Sequence, residues 1–277
     1  MSGLPEFSGE IYKRYGSIRR ARGCFLYTEK NVRLTDLYQE NGRAILGWGA
    51  GSASTHLKNV LNRGITGTYI TGFDYRLEKS VSALLGSERD VFVFSDKSRA
   101  LSEALAISRD STSVWRPWQC ARADEGTAAP SVSSVDCVVF EPPFPWGQNI
   151  FLLAVLKSLS VVTRPEGIKL PAPLSAAVTR SVYDLISALQ ARSEKDWFLW
   201  DTVLTRYWER RGPYLYPRKD ALDEDNYAGF VLHCLDLGIV VSPVYQSPSI
   251  VPFGADRGVL ACLKKNPFSK ITGGSDG

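Results

Sequence analysis

Two histidines, His56 and His233, are all that the 277 residues provide. That scarcity removes a His-rich metal centre and any catalytic scheme that needs several imidazoles. The five cysteines (Cys24, Cys120, Cys137, Cys234 and Cys262) are odd in number, widely spaced and contain no C-x-x-C pair. Neither a disulfide framework nor a zinc site is expected, and no other metal site is indicated. Long apolar runs are missing: stretches such as Ile150–Leu156 reach half or less of the roughly 18 residues a membrane span needs. Met1–Arg22 is polar and basic with no apolar signal core, which predicts a cytoplasmic protein without membrane attachment. Charge of one sign is scarce as well. Lys+Arg number 33 against 29 Asp+Glu, a formal +4, too small an excess to imply nucleic acid without a concentrated patch. The 44% hydrophobic and 22% charged residues are ordinary for a globular protein and exclude disorder, collagen and coiled coil.

What is present reads as alternating elements. Cys24–Thr28 is rich in strand formers and ends in the polar turn Glu29-Lys30-Asn31. Val32, Leu34 and Asp36 then alternate with Arg33, Thr35 and Leu37, and Glu40-Asn41-Gly42 makes the next turn. Gly47–Ser52, around Trp48, is a flexible segment whose backbone can approach a neighbour closely. Leu57, Val60 and Leu61 mark a short helix. Leu77, Val81, Leu84 and Leu85 mark a better one, with Asp74 placed to cap it and Gly86 to end it. Val91–Phe94 is an apolar run of the kind buried parallel strands show. It leads through Ser95-Asp96-Lys97-Ser98 into a helix over Arg99–Arg109. Residues 110–134 lack periodicity and predict an irregular excursion. Val135–Phe140 is a second buried strand, ending in Glu141-Pro142-Pro143, and Asn149–Leu159 is expected to return as a helix. Strand, helix, strand, helix predicts an α/β layer of parallel strands.

Beyond Pro165 the texture becomes α+β. Pro171-Ala172-Pro173 precedes a long helix with Val178, Val182, Leu185, Ile186 and Leu189 on one face. Trp197–Arg210 reads as another helix. Asp225 is placed to cap a third, which carries Tyr227, Val231 and Leu235 and ends at Gly238. Short strands are expected near Ile239–Val241, Ser249–Val251 and Val259–Leu263. The division that follows is an N-terminal segment over 1–52, a reduced α/β domain over 53–168 and an α+β C-terminal domain over 169–277.

Four stretches, taken in order, carry a resemblance. Arg22-Gly23 through Gly47 holds a glycine, a short hairpin, the pattern Asp36-Leu37-Tyr38 and a leucine-glycine turn. Val91–Arg109 is a strand, turn and helix whose turn reads Ser95-Asp96-Lys97-Ser98-Arg99-Ala100. Val138–Pro142 ends in Glu-Pro, and Ala172–Ala177 runs Ala-Pro-Leu-Ser-Ala-Ala into its helix. This order resembles the class-III aminotransferases, the group that includes glutamate-1-semialdehyde aminotransferase. The resemblance implies pyridoxal phosphate (PLP) fold type I, with a reduced aminotransferase-like central sheet and an α+β C-terminal lobe. It implies a homodimer too, because such active sites form between subunits. It assigns Ser95, Lys97, Ser98 and Arg99 to a vestige of the phosphate-cradling turn.

The chain departs from that pattern where the chemistry lies. The family carries the aspartate that pairs with the pyridinium nitrogen, and later the Schiff-base lysine, after the Glu-Pro strand. Here only Phe144–Pro171 stands there, without an Asp-Glu pair. The aromatic-His-Gly segment that stacks on the cofactor ring is missing from 110–134. PLP chemistry needs an amine of lowered pKa, an anion at the ring nitrogen and donors around the phosphate. Asp96 would repel a phosphate dianion, and Lys97 stands where the close approach of glycine is expected.

The remaining candidates each have an ordinary alternative. Lys169 is the best substitute Schiff-base lysine and Lys97 the second, although a solvated linker lysine is the default. Glu141 ends a buried strand where α/β folds place ligands, and with Trp48 and Gly49 it is expected to line a pocket. Strand-end carboxylates are also commonly bonded to backbone. Ser95–Arg99 either binds an anion or is a capping turn with Ser95 or Asp96 as the cap. Arg206, Arg210, Arg211, Arg218 and Lys219 interleave with Tyr207, Trp208, Tyr214 and Tyr216, a pattern that can bind single strands. Asp201, Glu209 and Asp220 break that field, so an aromatic anchor for a partner subunit is preferred and nucleic acid is not expected. His233 is expected to be a satisfied core residue. Two functions from different classes stand. One is a non-catalytic binding or scaffold homodimer that lacks PLP and takes a small-molecule or protein ligand. The other is a PLP-dependent transaminase with a rearranged site using Lys169 or Lys97.

Overall fold

Six consecutive apolar residues, Phe151–Leu156, form a strand inside a four-stranded sheet, where a helix was expected over Asn149–Leu159. A short run buried on both faces has no periodicity that separates strand from helix, and length decides. The computed structural model describes residues 4–49, 51–119, 132–159, 164–198 and 200–268. Cysteine 120 and the middle of the excursion at 110–134, residues 120–131, lie outside these residues. The chain divides into two compact units, one formed by 1–49 with 193–277 and the other by 50–192.

The first unit opens with α1 (Leu4–Tyr15), followed by the antiparallel meander β1 (Ile18–Arg22), β2 (Phe25–Thr28) and β3 (Arg33–Asp36). Asn31, at φ 60, turns β2 into β3, as the polar Glu29-Lys30-Asn31 predicts. Phe7 buries the apolar side of α1 against Tyr38, with ring centroids 6.3 Å apart.

The second unit begins with α2 (Ala53–Asn62) and α3 (Phe73–Leu85). Gly72 precedes α3 and Asp74 sits inside its first turn rather than capping it. Gly86, at φ +71, closes the helix as expected. Then come β4 (Arg89–Phe94), α4 (Lys97–Ile107), β5 (Thr112–Val114), β6 (Cys137–Phe140), β7 (Phe151–Leu156) and α5 (Ala172–Ala191). The sheet order is β4-β7-β6-β5. Only β5 and β6 are parallel, and β7 runs antiparallel to both neighbours, so the expected all-parallel layer is a mixed sheet. The cause is loop length: parallel neighbours need a crossover of a dozen or more residues, and only 141–150 join β6 to β7. Leu152 and Ala154 pack with Val81, Leu85, Ala177 and Val178 of α3 and α5. Leu153 and Val155 point the other way, onto Ala100 and Ala104 of α4. Arg89, fully buried, donates to the carbonyls of Asp136 at 3.1 Å and Val132 at 2.9 Å, tying β4 to the approach to β6.

The remainder of the first unit departs most from expectation. Trp197–Arg210 is not one helix but α6 (Glu194–Phe198), α7 (Asp201–Leu204) and β8 (Trp208–Arg211). A Gly212-Pro213 turn, with Gly212 at φ +58, folds β8 onto β9 (Tyr214–Pro217), and cross-strand pairing overrides the helical spacing. Next is α8 (Glu224–Asp236), capped by Asp223 rather than Asp225; its Oδ1 accepts the Asn226 N–H at 3.0 Å. Two-residue strands follow at β10 (Ile239–Val240), parallel to β3, and β11 (Ser249–Ile250), antiparallel to β9. Val259–Leu263 is helical, a 3-10 turn over Arg257–Leu260 running into α9 (Ala261–Lys265). His233 is half-buried, its ring nitrogen 2.9 Å from the Asn266 carbonyl. No described helix is long and apolar enough to cross a membrane. The fold is α/β.

Candidate functional site

Because β4 and β7 are antiparallel, the carboxyl end of β4 and the amino end of β7 reach the same edge of their sheet. A cleft of about 770 Å³ opens there. Leu57 and Leu61 of α2, Trp146 before β7, Ile168, and Leu174 of α5 form its apolar walls. Trp146 is stacked on Phe144 with ring centroids 5.9 Å apart. Ser95, Thr66, Gln148, Asn149 and Lys169 supply the polar lining, and among the described residues no Asp or Glu lines it. Volume, apolar walls, a few polar groups and a place at strand ends are the attributes of ligand sites in open α/β folds.

The stretch before α5 positions Lys169. The Ile168 N–H donates to the Val93 carbonyl at 2.7 Å, so this stretch lies along the free edge of β4. Gly167 permits the approach: a Cβ there would stand 2.8 Å from the Val93 oxygen. Lys169 follows, exposed, bordering both the cleft and a smaller hollow of about 200 Å³ that holds Asp74 and Glu78. It makes no hydrogen bond or ion pair among the described residues.

At the turn after β4, Asp96 caps α4, its Oδ1 accepting the Arg99 N–H at 2.8 Å. The helix therefore carries its own carboxylate where a phosphate would bind. Ser95 lines the cleft, whereas Lys97, Ser98 and Arg99 are exposed and are not among its lining. The Arg99 guanidinium lies over the Phe94 ring and donates to the Glu166 carbonyl at 3.3 Å.

Trp48 and Gly49 belong to the unit of β1–β3 and Glu141 to that of β6. Trp48 bridges Gly23 through two backbone hydrogen bonds, and its indole N–H donates to Asp36. Gly49 turns at φ +63. Glu141 follows β6, half-buried, and is not among the residues that line the cleft. Sequence reasoning missed Trp146, Asn149, Leu57 and Leu61. The signal for the first two was the loop composition of Pro142-Pro143-Phe144-Pro145-Trp146-Gly147. Among the described residues no cluster of His, Cys, Asp and Glu could hold a metal ion.

A PLP site would need a ring-pairing aspartate and a buried lysine. β6 pairs directly with β7 from Cys137↔Val155 to Phe140↔Leu152, so no strand lies between them to carry a ring-pairing aspartate or a buried lysine. The joining loop, 141–150, contains neither Asp nor Lys. Asp96 occupies the helix terminus, and Lys169, the one amine at the cleft among the described residues, is exposed.

No family model matches the chain. An uncharacterized protein of Treponema pallidum is 27% identical over 302 residues, covering 90% of this chain and 93% of that protein. Another from Borreliella burgdorferi is 25% identical over 255 residues, covering 91% and 90%. Among solved structures, ornithine aminotransferase of Plasmodium yoelii superposes with a TM-score of 0.63 at 12% identity, covering 95% of this chain and 97% of its own. Glutamate-1-semialdehyde aminomutase of Pseudomonas aeruginosa gives 0.62 at 10%, covering 90% and 85%. Ornithine aminotransferase of Toxoplasma gondii, crystallized with partial occupancy of PLP at its active site, gives 0.62 at 11%, covering 90% and 87%. At such identities the likeness is one of architecture: this chain has the aminotransferase fold.

Proposed function

We propose that the chain is a non-catalytic binding protein built on the aminotransferase fold, acting as a homodimer and holding its ligand in the cleft lined by Ser95, Trp146, Asn149 and Lys169. The direct pairing of β6 with β7 carries this reading, because no strand stands between them to bring a ring-pairing aspartate or a Schiff-base lysine, and the joining loop 141–150 holds neither. Asp96 at the start of α4 supports it independently. Dimerisation is supported by the connection between α2 and α3, where the adjacent Tyr69 and Ile70 are 86% and 95% exposed, large apolar surface of the kind interfaces cover.

The opposing reading is a PLP-dependent transaminase using Lys169 or Lys97. It is favoured by Lys169 bordering the cleft and by the PLP bound in one structural neighbour. Mixing the purified protein with PLP, reducing with borohydride and mapping peptides by mass decides between them. The non-catalytic reading requires no visible absorbance beyond that of free PLP and no lysine adduct. A trapped adduct at Lys169 or Lys97 overturns it.

A further inference from the structure

We infer that the cleft takes a small amphipathic monocarboxylate, its apolar body against Leu57, Leu61 and Leu174 and its carboxylate against Lys169. This rests on the binding-protein reading and names the ligand class which that reading leaves open. A cleft of about 770 Å³ is of the size that encloses a small organic molecule, and burying a chain or ring on these walls is the main available source of affinity. The head group follows from charge. Among the described residues, the lining offers one cation, Lys169, and no carboxylate, with Ser95 and Asn149 as neutral hydrogen-bonding groups. An ammonium head would meet Lys169 with nothing in the cleft to neutralise it. Asp74 and Glu78 border the smaller hollow and not the cleft itself. A phosphate dianion would carry one charge more than the cleft compensates, with the Asp96 carboxylate adjacent in the chain to Ser95. A single negative charge on an apolar body matches what is there.

The test is calorimetric titration of the full chain, without PLP, with octanoate, octan-1-ol, octylammonium and octyl phosphate. Octanoate should bind most tightly. Lys169→Met should weaken octanoate about tenfold or more, the loss of a charge-assisted hydrogen bond, and leave octanol within about twofold. Leu61→Glu, at a wall position already 46% exposed and so tolerant of a charge, should weaken octanoate and octanol together. The inference is overturned if octanol equals octanoate, if octylammonium or octyl phosphate binds more tightly, if nothing binds, or if Lys169→Met leaves the octanoate-to-octanol ratio unchanged. The parent reading fails separately, through a borohydride-trapped PLP adduct, which these titrations neither produce nor need.

Discussion

The indole Nε1 of Trp48 donates to Asp36 Oδ2 at 2.6 Å, in a site where Asp36 is 1% exposed. Asp36 Oδ1 accepts the N–H groups of Tyr38 at 2.9 Å and Gln39 at 2.8 Å. Burial pushes its pKa up to about 6, outweighing the three donors that favour the anion. An unfolded aspartate releases its proton near 3.9, so between about pH 4 and 6 the folded chain holds a proton that the unfolded chain has lost. Stability is therefore predicted to fall as pH rises through that window, by on the order of 2–3 kcal/mol, and to level above it. Trp48→Phe removes one donor to the anion and should extend the decline to higher pH. Asp36→Asn should abolish this component. Urea denaturation at several pH values between 4 and 8 measures all three.

Local rules made some of this legible and tertiary pairing hid the rest. Gly86 and Asp96 end and begin their helices by backbone chemistry that a single sequence displays. Val91–Phe94 and Val135–Phe140 read as strands because both faces of their sheet are covered. The same property concealed Phe151–Leu156, and strand direction belongs to loop length and register, not to residue type. Trp48 stood out as an aromatic among glycines, but its partner Asp36 is set by the bridge from Trp48 to Gly23, which no pattern announces. The cleft was not legible, since Leu57, Trp146 and Leu174 come from three separate segments.

Gly51 lies against the Asp184 carboxylate. Its φ is +70, and a Cβ would lie 2.3 Å from Asp184 Oδ2, the atom that accepts the Ser52 N–H at 3.2 Å. Gly51→Ala is predicted to destabilise by about 1–3 kcal/mol, from left-handed strain plus displacement of that carboxylate. In an Asp184→Ala background the steric part disappears and the cost should shrink. Thermal melts of the four proteins give the coupling; equal costs in both backgrounds would refute the contact.

Tyr69 and Ile70 should control assembly. Replacing both with serine removes exposed apolar surface without opening a core, so the protein should stay folded by circular dichroism while its mass by light scattering halves. An unchanged mass would place the dimer interface elsewhere, or leave none.

Arg210 is structural, and the basic, aromatic stretch around it should not bind nucleic acid. Its Nε meets Asp201 Oδ1 at 2.5 Å and its Nη2 meets Oδ2 at 3.0 Å, while Nη2 also reaches Glu194 and Nη1 donates to the Gly212 carbonyl. These hydrogen bonds raise its pKa further above the ordinary guanidinium value. Arg211 pairs with Glu209 at 2.8 Å over the Tyr216 ring, and Arg218 pairs with Asp220. Each of these three cations is already compensated, so none is free to release counterions from a phosphate backbone. Arg210→Met should cost about 2–3 kcal/mol, less than a fully buried pair because Asp201 keeps part of its hydration. Arg211→Ala and Arg218→Ala should fold normally and leave retention on a single-stranded oligonucleotide column, and its salt dependence, unchanged. A shallower salt slope in either variant would show that the arginine contacts phosphate after all.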